Sequence, residues 1–363
     1  MTDVAIIGAG IVGAACANAL TEAGVSVVVI ESDIVGGGAT AAGMGHIVVM
    51  DDSEAQFALT HYSAKLWNQL ADEMPADVEF EKRGTLWVAA DAQEMETVHS
   101  KLQYYTERGV RAELLNESDV RRAEPNLRHG LAGGLLVVDD AVVYAPRAAA
   151  WLLSRAIARG ARFQKVEITS IADVRADHII CATGAQATRW FPDLDIKLRK
   201  GHLAITQRYP GFVNHQLIEL GYLKNAHGVN EDSVAFNVQP RATGQVLIGS
   251  SRQFGQSSSG IDHCMMERML ARAISYMPSL ERLDIIRTWT GFRAATSDHL
   301  PIIGRHPEQP NVYLATGHEG LGITTSLGTA HLIVSAILGT KPQIDAVPYL
   351  PGRKALKPTE SRH

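Results

Sequence analysis

Apolar positions in the first thirty residues fall into blocks divided by glycine. Val4–Ile7 is a short continuous apolar run of the kind a fully buried strand needs. Past Gly8-Ala9-Gly10-Ile11-Val12-Gly13 comes an alanine-rich stretch of helical composition, stopped at Gly24. A second apolar run, Val25–Ile30, ends on Glu31. The pattern predicts strand, glycine turn, helix and strand in succession. Farther on, Asp52–Glu73 reads as a long amphipathic helix with Phe57, Leu59, Trp67 and Leu70 apolar, and Phe80–Ala89 as a strand. Asp91–Arg108 reads as a charged surface helix ended by Gly109, and Glu117–Val120 as the start of a short helix that Pro125 stops. Gly133–Val138 should be a strand and Arg147–Arg159 a helix closing at Gly160, with short strands at Val166–Ile171 and His178–Cys181.

From about Ile196 the period shortens. Leu203–Thr206, Leu217–Leu223, Ser233–Pro240 and Gln245–Ser250 predict an antiparallel sheet, followed by a helix over Asp262–Tyr276 that Pro278 ends. Ile285–Thr290 reads as a strand followed by Gly291–Asp298, and Val312–Ala315 as the last strand. Gly320–Thr340 then runs 21 residues without Asp, Glu, Lys or Arg, long enough to span a bilayer. Its Thr324, Thr325, Ser326, Thr329, His331 and Ser335 fit a buried helix better. The polar tail from Pro351 is expected to be disordered, and no internal repeat is visible.

The opening blocks carry chemistry as well as structure. In Gly8-x-Gly10-x-x-Gly13 the first glycine permits a tight turn, the second lets a pyrophosphate reach the backbone, and the third lets helix and strand pack closely. Amides at the helix start would face the phosphates, helped by the helix dipole. Glu31, 18 residues after Gly13, stands where a carboxylate can accept both hydroxyls of an adenosine ribose. A glycine turn in an ordinary α/β domain is the plainer alternative. Between Gly36 and Gly45 eight residues are Gly or Ala, so this loop is expected to wall the nucleotide site a second time. Ala182-Thr183-Gly184, at a strand end, would bring bare backbone to a ligand edge, although a glycine there also serves simply to break a strand.

Composition narrows the class. The 363 residues suffice for a large core and for two domains. A formal charge of −5 gives no electrostatic reason to expect nucleic acid. Cys16, Cys181 and Cys264 lie far apart without metal or disulfide spacing, which excludes an encoded iron–sulfur cluster and fits a reducing, cytoplasmic compartment. The first strand begins at about the third residue with Asp3 in place of a basic segment, so no signal peptide is expected.

The segments GAGIVG, GGGATAAGMG, ADHIICATGA, KGHLAIT, QPRATGQVLIGSS, GFRAATSDHLPIIG and GHEGLGITTSLGTAHLIVSAIL, spread from residue 4 to residue 338, together resemble the D-amino-acid oxidase/glycine oxidase family of FAD-dependent oxidoreductases. Within it the chain looks most like the FAD-bearing subunit of bacterial hydroxyproline or proline dehydrogenases, which work as hetero-oligomers. The resemblance implies an α/β fold. A Rossmann-like FAD-binding domain (1–80, 140–195, 285–340) would be interleaved with an antiparallel-sheet, α+β substrate domain (81–139, 196–284). It also implies non-covalent FAD rather than NAD, no metal, an amino or imino acid substrate, and partner subunits carrying further redox centres. Attachment to the inner face of a membrane would come only through such a partner. The cofactor-binding set is Gly8, Gly10, Ile11, Val12, Gly13, Glu31, Ser32, Thr40, Ala41, Gly43, Met44, Gly45, Val166, Ala182, Thr183, Gly184, Gly317, Gly320, Leu321, Gly322, Ile323 and Thr324.

Oxidation of an amino acid at Cα needs a hydride acceptor, which FAD supplies, and a fixed carboxylate. A planar guanidinium holds a carboxylate bidentately, and Arg293 lies in the motif where glycine oxidase-like proteins place that arginine. A surface salt bridge is the alternative for it. Negative charge on reduced flavin could be met by the amides that open the helix after Gly317–Gly322. Glycine oxidase carries an arginine where this chain has Gly320, which makes a glycine-sized substrate doubtful. His46, His318, Glu319 and Asn237 complete the pocket candidates, each with a structural alternative: His46 beside the flavin ring, Glu319 on a substrate ammonium or ring hydroxyl, and Asn237 over the substrate. The expected reaction is oxidation of a D-hydroxyproline- or proline-like imino acid to the imine, with electrons passed to a partner or dye-type acceptor. The rivals are an oxygen-using glycine, sarcosine or D-amino-acid oxidase, a non-catalytic flavin-bearing subunit, and a nicotinamide-dependent dehydrogenase.

Overall fold

The structure is a computed structural model, described for residues 3–221 and 232–353. Along the chain run β1 (Val4–Ile7), α1 (Ile11–Glu22), β2 (Val27–Glu31), α2 (Gly38–Ala42), β3 (His46–Ile47), α3 (Glu54–Gln69), β4 (Thr85–Ala89), α4 (Ala92–Glu107), β5 (Ala112–Asn116), α5 (Glu117–Ala123), β6 (Gly133–Val137) and β7 (Ala141–Val142). Then come α6 (Ala145–Ala158), β8 (Arg162–Lys165), β9 (His178–Cys181), β10 (Lys197–Arg208), β11 (Gln216–Glu219), β12 (Ser233–Pro240), β13 (Gln245–Phe254), α7 (His263–Tyr276), β14 (Ile285–Ala295), β15 (Ile302–Arg305), β16 (Val312–Thr316) and α8 (Gly322–Leu338). The chain divides into two compact units. One draws on Met1–Phe80, Val143–Leu198 and Phe292–Arg362, the other on Glu81–Val142 and Arg199–Gly291.

The first unit is built on a six-stranded sheet in the order β15-β16-β9-β1-β2-β8. Its strands are parallel except for the β15–β16 pair. Buried on both faces, β1 and β2 need the continuous apolar runs they have. Helix α1 is alanine-rich because it packs against both α6 and α8, and small side chains let the axes come close. All strands that build the expected nucleotide site are parallel, so their C-terminal ends meet at one sheet edge. That edge is where ligands bind in open α/β sheets. A cavity of about 670 Å³, lined by Arg175, Trp190, Phe191 and Asn311 among others, lies instead at the starts of β9 and β16.

The second unit is an eight-stranded sheet, β14-β10-β13-β12-β11-β4-β6-β5. The segments expected to form an antiparallel sheet, β10 to β13, do so, and β4 joins that sheet through a parallel pairing with β11. One face carries Leu86, Val88, Leu217, Phe236, Val238 and Ile248 into a core with Met266, Met269 and Tyr276 of α7. Glu219 is fully buried at the edge of that core, and Arg272 and the hydroxyl of Tyr276 satisfy it.

Three sequence readings need correction, and a further one runs partly outside the described residues. Val166–Ile171 is not a strand: the strand is the exposed Arg162–Lys165, which has no apolar run because it is an edge strand held only through β2. The strand predicted at Ile285–Thr290 continues to Ala295, which puts Arg293 on β14. The part of Leu217–Leu223 from residue 222 lies outside the described residues. The tail expected to be disordered starts out fixed: Arg353 donates from Nε and Nη2 to Asp298, 2.8 Å each, and from Nη2 to Leu300 O, 2.7 Å. The rest of it, 354–363, lies outside the described residues.

Candidate active site

At the C-terminal edge of the first unit's sheet, the turn after β1 is as tight as its glycines allow. A Cβ on Gly13 would lie 1.9 Å from Gly8 O, and one on Gly8 (φ +103°) 2.7 Å from Ala182 O. Both positions therefore exclude any side chain. Gly10 differs: a Cβ there would meet only Thr40 Oγ1, at 3.3 Å. It caps α1 without a side-chain bond, so the first-turn amides of Val12 and Gly13, which have no intrahelical acceptor, are placed for an anion. The Ile11 amide is engaged within the chain, donating to Thr40 Oγ1 at 3.0 Å, so Thr40 helps to close the turn.

Glu31 ends β2, and its carboxylate accepts from the amides of Ala9 (2.7 Å) and Asp33 (2.9 Å). The turn thus holds the carboxylate at the sheet edge while oxygen lone pairs remain for ribose hydroxyls. The Ser32 hydroxyl lies 3.4 Å from the same carboxylate. Val166 is exposed and donates its amide to Glu31 O. On the neighbouring strand end the Ala182 amide donates to Ile7 O, and Thr316 Oγ1 donates to Gly184 O at 2.7 Å. A diphosphate-and-ribose group of the FAD type fits this cradle: bare backbone at Gly10, first-turn amides, and a fixed acidic strand end.

The glycine loop has more than one reason for its glycines. A Cβ on Gly45 would fall 1.9 Å from Val143 O and one on Gly36 2.9 Å from Pro146, so these approaches are to the chain's own backbone and not to a ligand. Ala41 is exposed and Met44 buried. Gly43 packs toward the start of α8, with 2.9 Å from its added Cβ to Ile323 Cδ1. Thr324 Oγ1 bridges the same two segments, donating to His46 O (2.9 Å) and accepting from the Val48 amide (3.3 Å). Helix α8 opens at Leu321 with no side-chain cap and no acidic residue in its first turn. Carbonyls in that turn are claimed from α3: Trp67 Nε1 donates to Ile323 O and Thr324 O, and Ser63 Oγ to Thr324 O. Sequence reading had Trp67 only as a core residue and missed this role, because an indole on an apolar helix face gives no sign of its polar partner.

Arg293 is half-buried near the end of β14. Gly320 lies against it: a Cβ there would be 3.8 Å from both Cδ and Nε of Arg293. Between them the Glu319 amide donates to Ala294 O at 2.9 Å, fastening the α8 loop to the strand. Glu319 is not a loose surface carboxylate, since Oε2 meets His299 Nδ1 at 3.1 Å. His318 Nε2 bonds Thr329 Oγ1 at 3.0 Å, and burial of the ring pushes its pKa down to about 3, so the imidazole is neutral near pH 7. Gly317, at φ +74°, passes so close to Thr296 that a Cβ would meet its Cγ2 at 2.9 Å. Asn237 belongs to the other unit, on β12 opposite Ile218 and Gly249. It is buried, and its Oδ1 has no hydrogen-bond partner among the described residues.

The comparisons agree with this geometry. The family model for FAD dependent oxidoreductases matches residues 3–336. The chain belongs to that family of FAD-dependent enzymes. The crystal structure of glycine oxidase from Geobacillus kaustophilus superposes with a TM-score of 0.86 at 23% identity, covering 97% of this chain and 98% of that one. That of L-proline dehydrogenase from P. horikoshii gives 0.85 at 22% identity over 96% of each chain. One of the subunits of the opine oxidase of Rhizobium meliloti is 24% identical over 94% of this chain and 95% of its own. Among the described residues no helix is long and apolar enough to cross a membrane; α8, the uncharged stretch, has 17 residues and is largely buried.

Proposed function

We propose that the protein oxidises an amino or imino acid at its Cα–N bond, with a proline- or hydroxyproline-like acid as substrate, and passes the electrons to a partner subunit or dye-type acceptor. The observation that carries the reading is Arg293, half-buried beside Gly320 at the opening of α8. Its fork would take the substrate carboxylate bidentately and so fix the direction of the Cα–H bond. Bound FAD would supply the hydride acceptor, held at Gly10, Val12, Gly13 and Glu31 with the α8 amides toward the ring. No side chain need take a proton if the amine enters neutral, and burial keeps the His318 ring uncharged. Gly320 adds no side chain beside Arg293, leaving room for a substrate larger than glycine. Likeness to a proline dehydrogenase and to a subunit of an opine oxidase supports both the substrate class and the partner. Likeness to glycine oxidase supports the second reading, an oxygen-using oxidase of small amino acids.

The test is anaerobic bleaching of the purified protein by proline, hydroxyproline, glycine, sarcosine and D-amino acids. Cyclic imino acids should bleach it fastest, with dye reduction exceeding peroxide release. Bleaching by glycine alone, with peroxide released stoichiometrically, would favour the oxidase. A yellow protein that no amine reduces would be a structural subunit.

A further inference from the structure

Three non-glycine residues among those described have a positive φ: Glu79, His299 and Glu319. Two of the three are paired with each other, His299 (φ +59°) to Glu319 (φ +49°), 3.1 Å between Nδ1 and Oε2. Residues held in this region persist only where their surroundings over-determine them, and such places cluster at functional sites. Here the surroundings are identifiable. The loop bearing His299 is anchored independently, by Thr296 Oγ1 to Leu300 O (2.8 Å), by the Leu300 amide to Asp298, and by Arg353 across Asp298 and Leu300. The loop bearing Glu319 is fastened at one side by its amide to Ala294 O, next to Arg293. Its next residue, Gly320, lies against the Arg293 side chain. Glycines at 317, 320 and 322 would otherwise leave this loop many conformations.

We infer that His299 is a positioning residue for Arg293: by holding Glu319 it fixes the 317–322 loop against the guanidinium and so sets the plane in which a carboxylate is received. This rests on the reading of Arg293 as the carboxylate anchor. His299 touches neither substrate nor cofactor; it acts through Glu319 and Gly320.

The two informative variants are His299→Gly, which suits the left-handed backbone but has no donor, and His299→Asn, which tolerates that backbone and keeps an N–H donor. Isobutyrate, with a carboxylate and no amine, serves as the probe, titrated by calorimetry into FAD-loaded protein. His299→Gly should bind it about ten- to a hundredfold more weakly and raise KM by a similar factor, with kcat falling less and FAD content unchanged. His299→Asn should stay within about threefold of native on the same measures. Native Kd in His299→Gly overturns the inference, as does equal loss in both variants, since the donor is then not what matters. Arg293→Ala separates the two levels. If it binds isobutyrate as the native protein does, the carboxylate reading itself falls; if it loses binding while His299→Gly keeps it, the clamp stands and the positioning role falls.

Discussion

Single side chains decide how the first unit meets its cofactor. Glu31 closes the glycine turn through the Ala9 amide, and its remaining oxygen lone pairs are the proposed acceptors for a ribose. Charge-assisted hydrogen bonds of this kind contribute about 1.5–3 kcal/mol each. Glu31→Ala should therefore weaken FAD binding about ten- to a hundredfold, and Glu31→Gln, which keeps an acceptor for Ala9, should weaken it less. Flavin fluorescence on titration of the apoprotein checks this; full flavin content and unchanged affinity in Glu31→Ala would remove Glu31 from the ribose. His318 carries a different consequence. Its folded pKa, about 3, lies below the unfolded value near 6.5, so the unfolded chain binds the extra proton between those limits. Its contribution destabilises the fold increasingly as pH falls through that window, with a limiting slope of about 1.4 kcal/mol per pH unit. His61 and His331 are shifted in the same direction by burial, so the comparison must be with a variant. His318→Gln should show a flatter fall of Tm between pH 6.5 and 4.5, while activity near neutrality shows no titration assignable to this ring. An unchanged Tm profile would mean that the ring is not buried neutral.

At the scale of elements, the start of α8 is the junction that most depends on distant parts of the chain. Trp67 and Ser63 of α3 take its first carbonyls, and Thr324 ties it to the segment His46–Val48. Trp67→Phe keeps most of the packing but removes the indole donor shared by Ile323 O and Thr324 O, the latter still held by Ser63, at a cost of about 0.5–1.5 kcal/mol. A lowered urea midpoint with unchanged m-value should follow, together with weaker FAD retention because the α8 opening loosens. Equal midpoints would show that the indole bond contributes nothing. This junction also marks where sequence reading stops. The Gly8–Gly13 turn, β1, β2, α1 and the uncharged α8 were legible because each is local and its pattern has one physical meaning. Edge strand β8 was not, since an exposed strand needs no apolar period. Nor was the engagement of Ile11 by Thr40, 29 residues away, since the motif speaks only of the amides at the helix start as a group. His299 escaped notice because its importance lies in a positive φ and a partner on another loop, neither of which leaves a mark in composition.

Across the whole molecule, the chain leaves the nucleotide-binding unit after Phe80 and again after Leu198, returning each time. The residues proposed to hold FAD and the arginine proposed to receive substrate thus come from segments at both ends of the sequence. The nucleotide-binding unit offers no exposed thiol to the cofactor among its described residues: Cys16 and Cys181 are buried, and burial pushes both thiols well up, Cys16 to about 12. No thiol of that unit is therefore open to a covalent link, and we predict that FAD is held non-covalently: acid precipitation should leave a colourless pellet and a yellow supernatant. A yellow pellet would mean a covalent bond.

Arg293 as the substrate's carboxylate anchor is the claim on which the account turns. Its most direct measurement is the rate of anaerobic flavin bleaching by proline or hydroxyproline in native, Arg293→Lys and Arg293→Ala proteins, alongside pyrrolidine, which has the ring and amine but no carboxylate. Losing a charge partner of this kind costs about 2–5 kcal/mol, so Arg293→Ala should lose about thirty- to several-thousandfold in kcat/KM on the imino acid. Arg293→Lys should fall between the two, because it keeps the charge without the fork. FAD content should stay normal, and pyrrolidine, poor throughout, should be little affected. Near-native bleaching of Arg293→Ala by the imino acid, with FAD bound normally, would contradict the account and place the carboxylate clamp elsewhere.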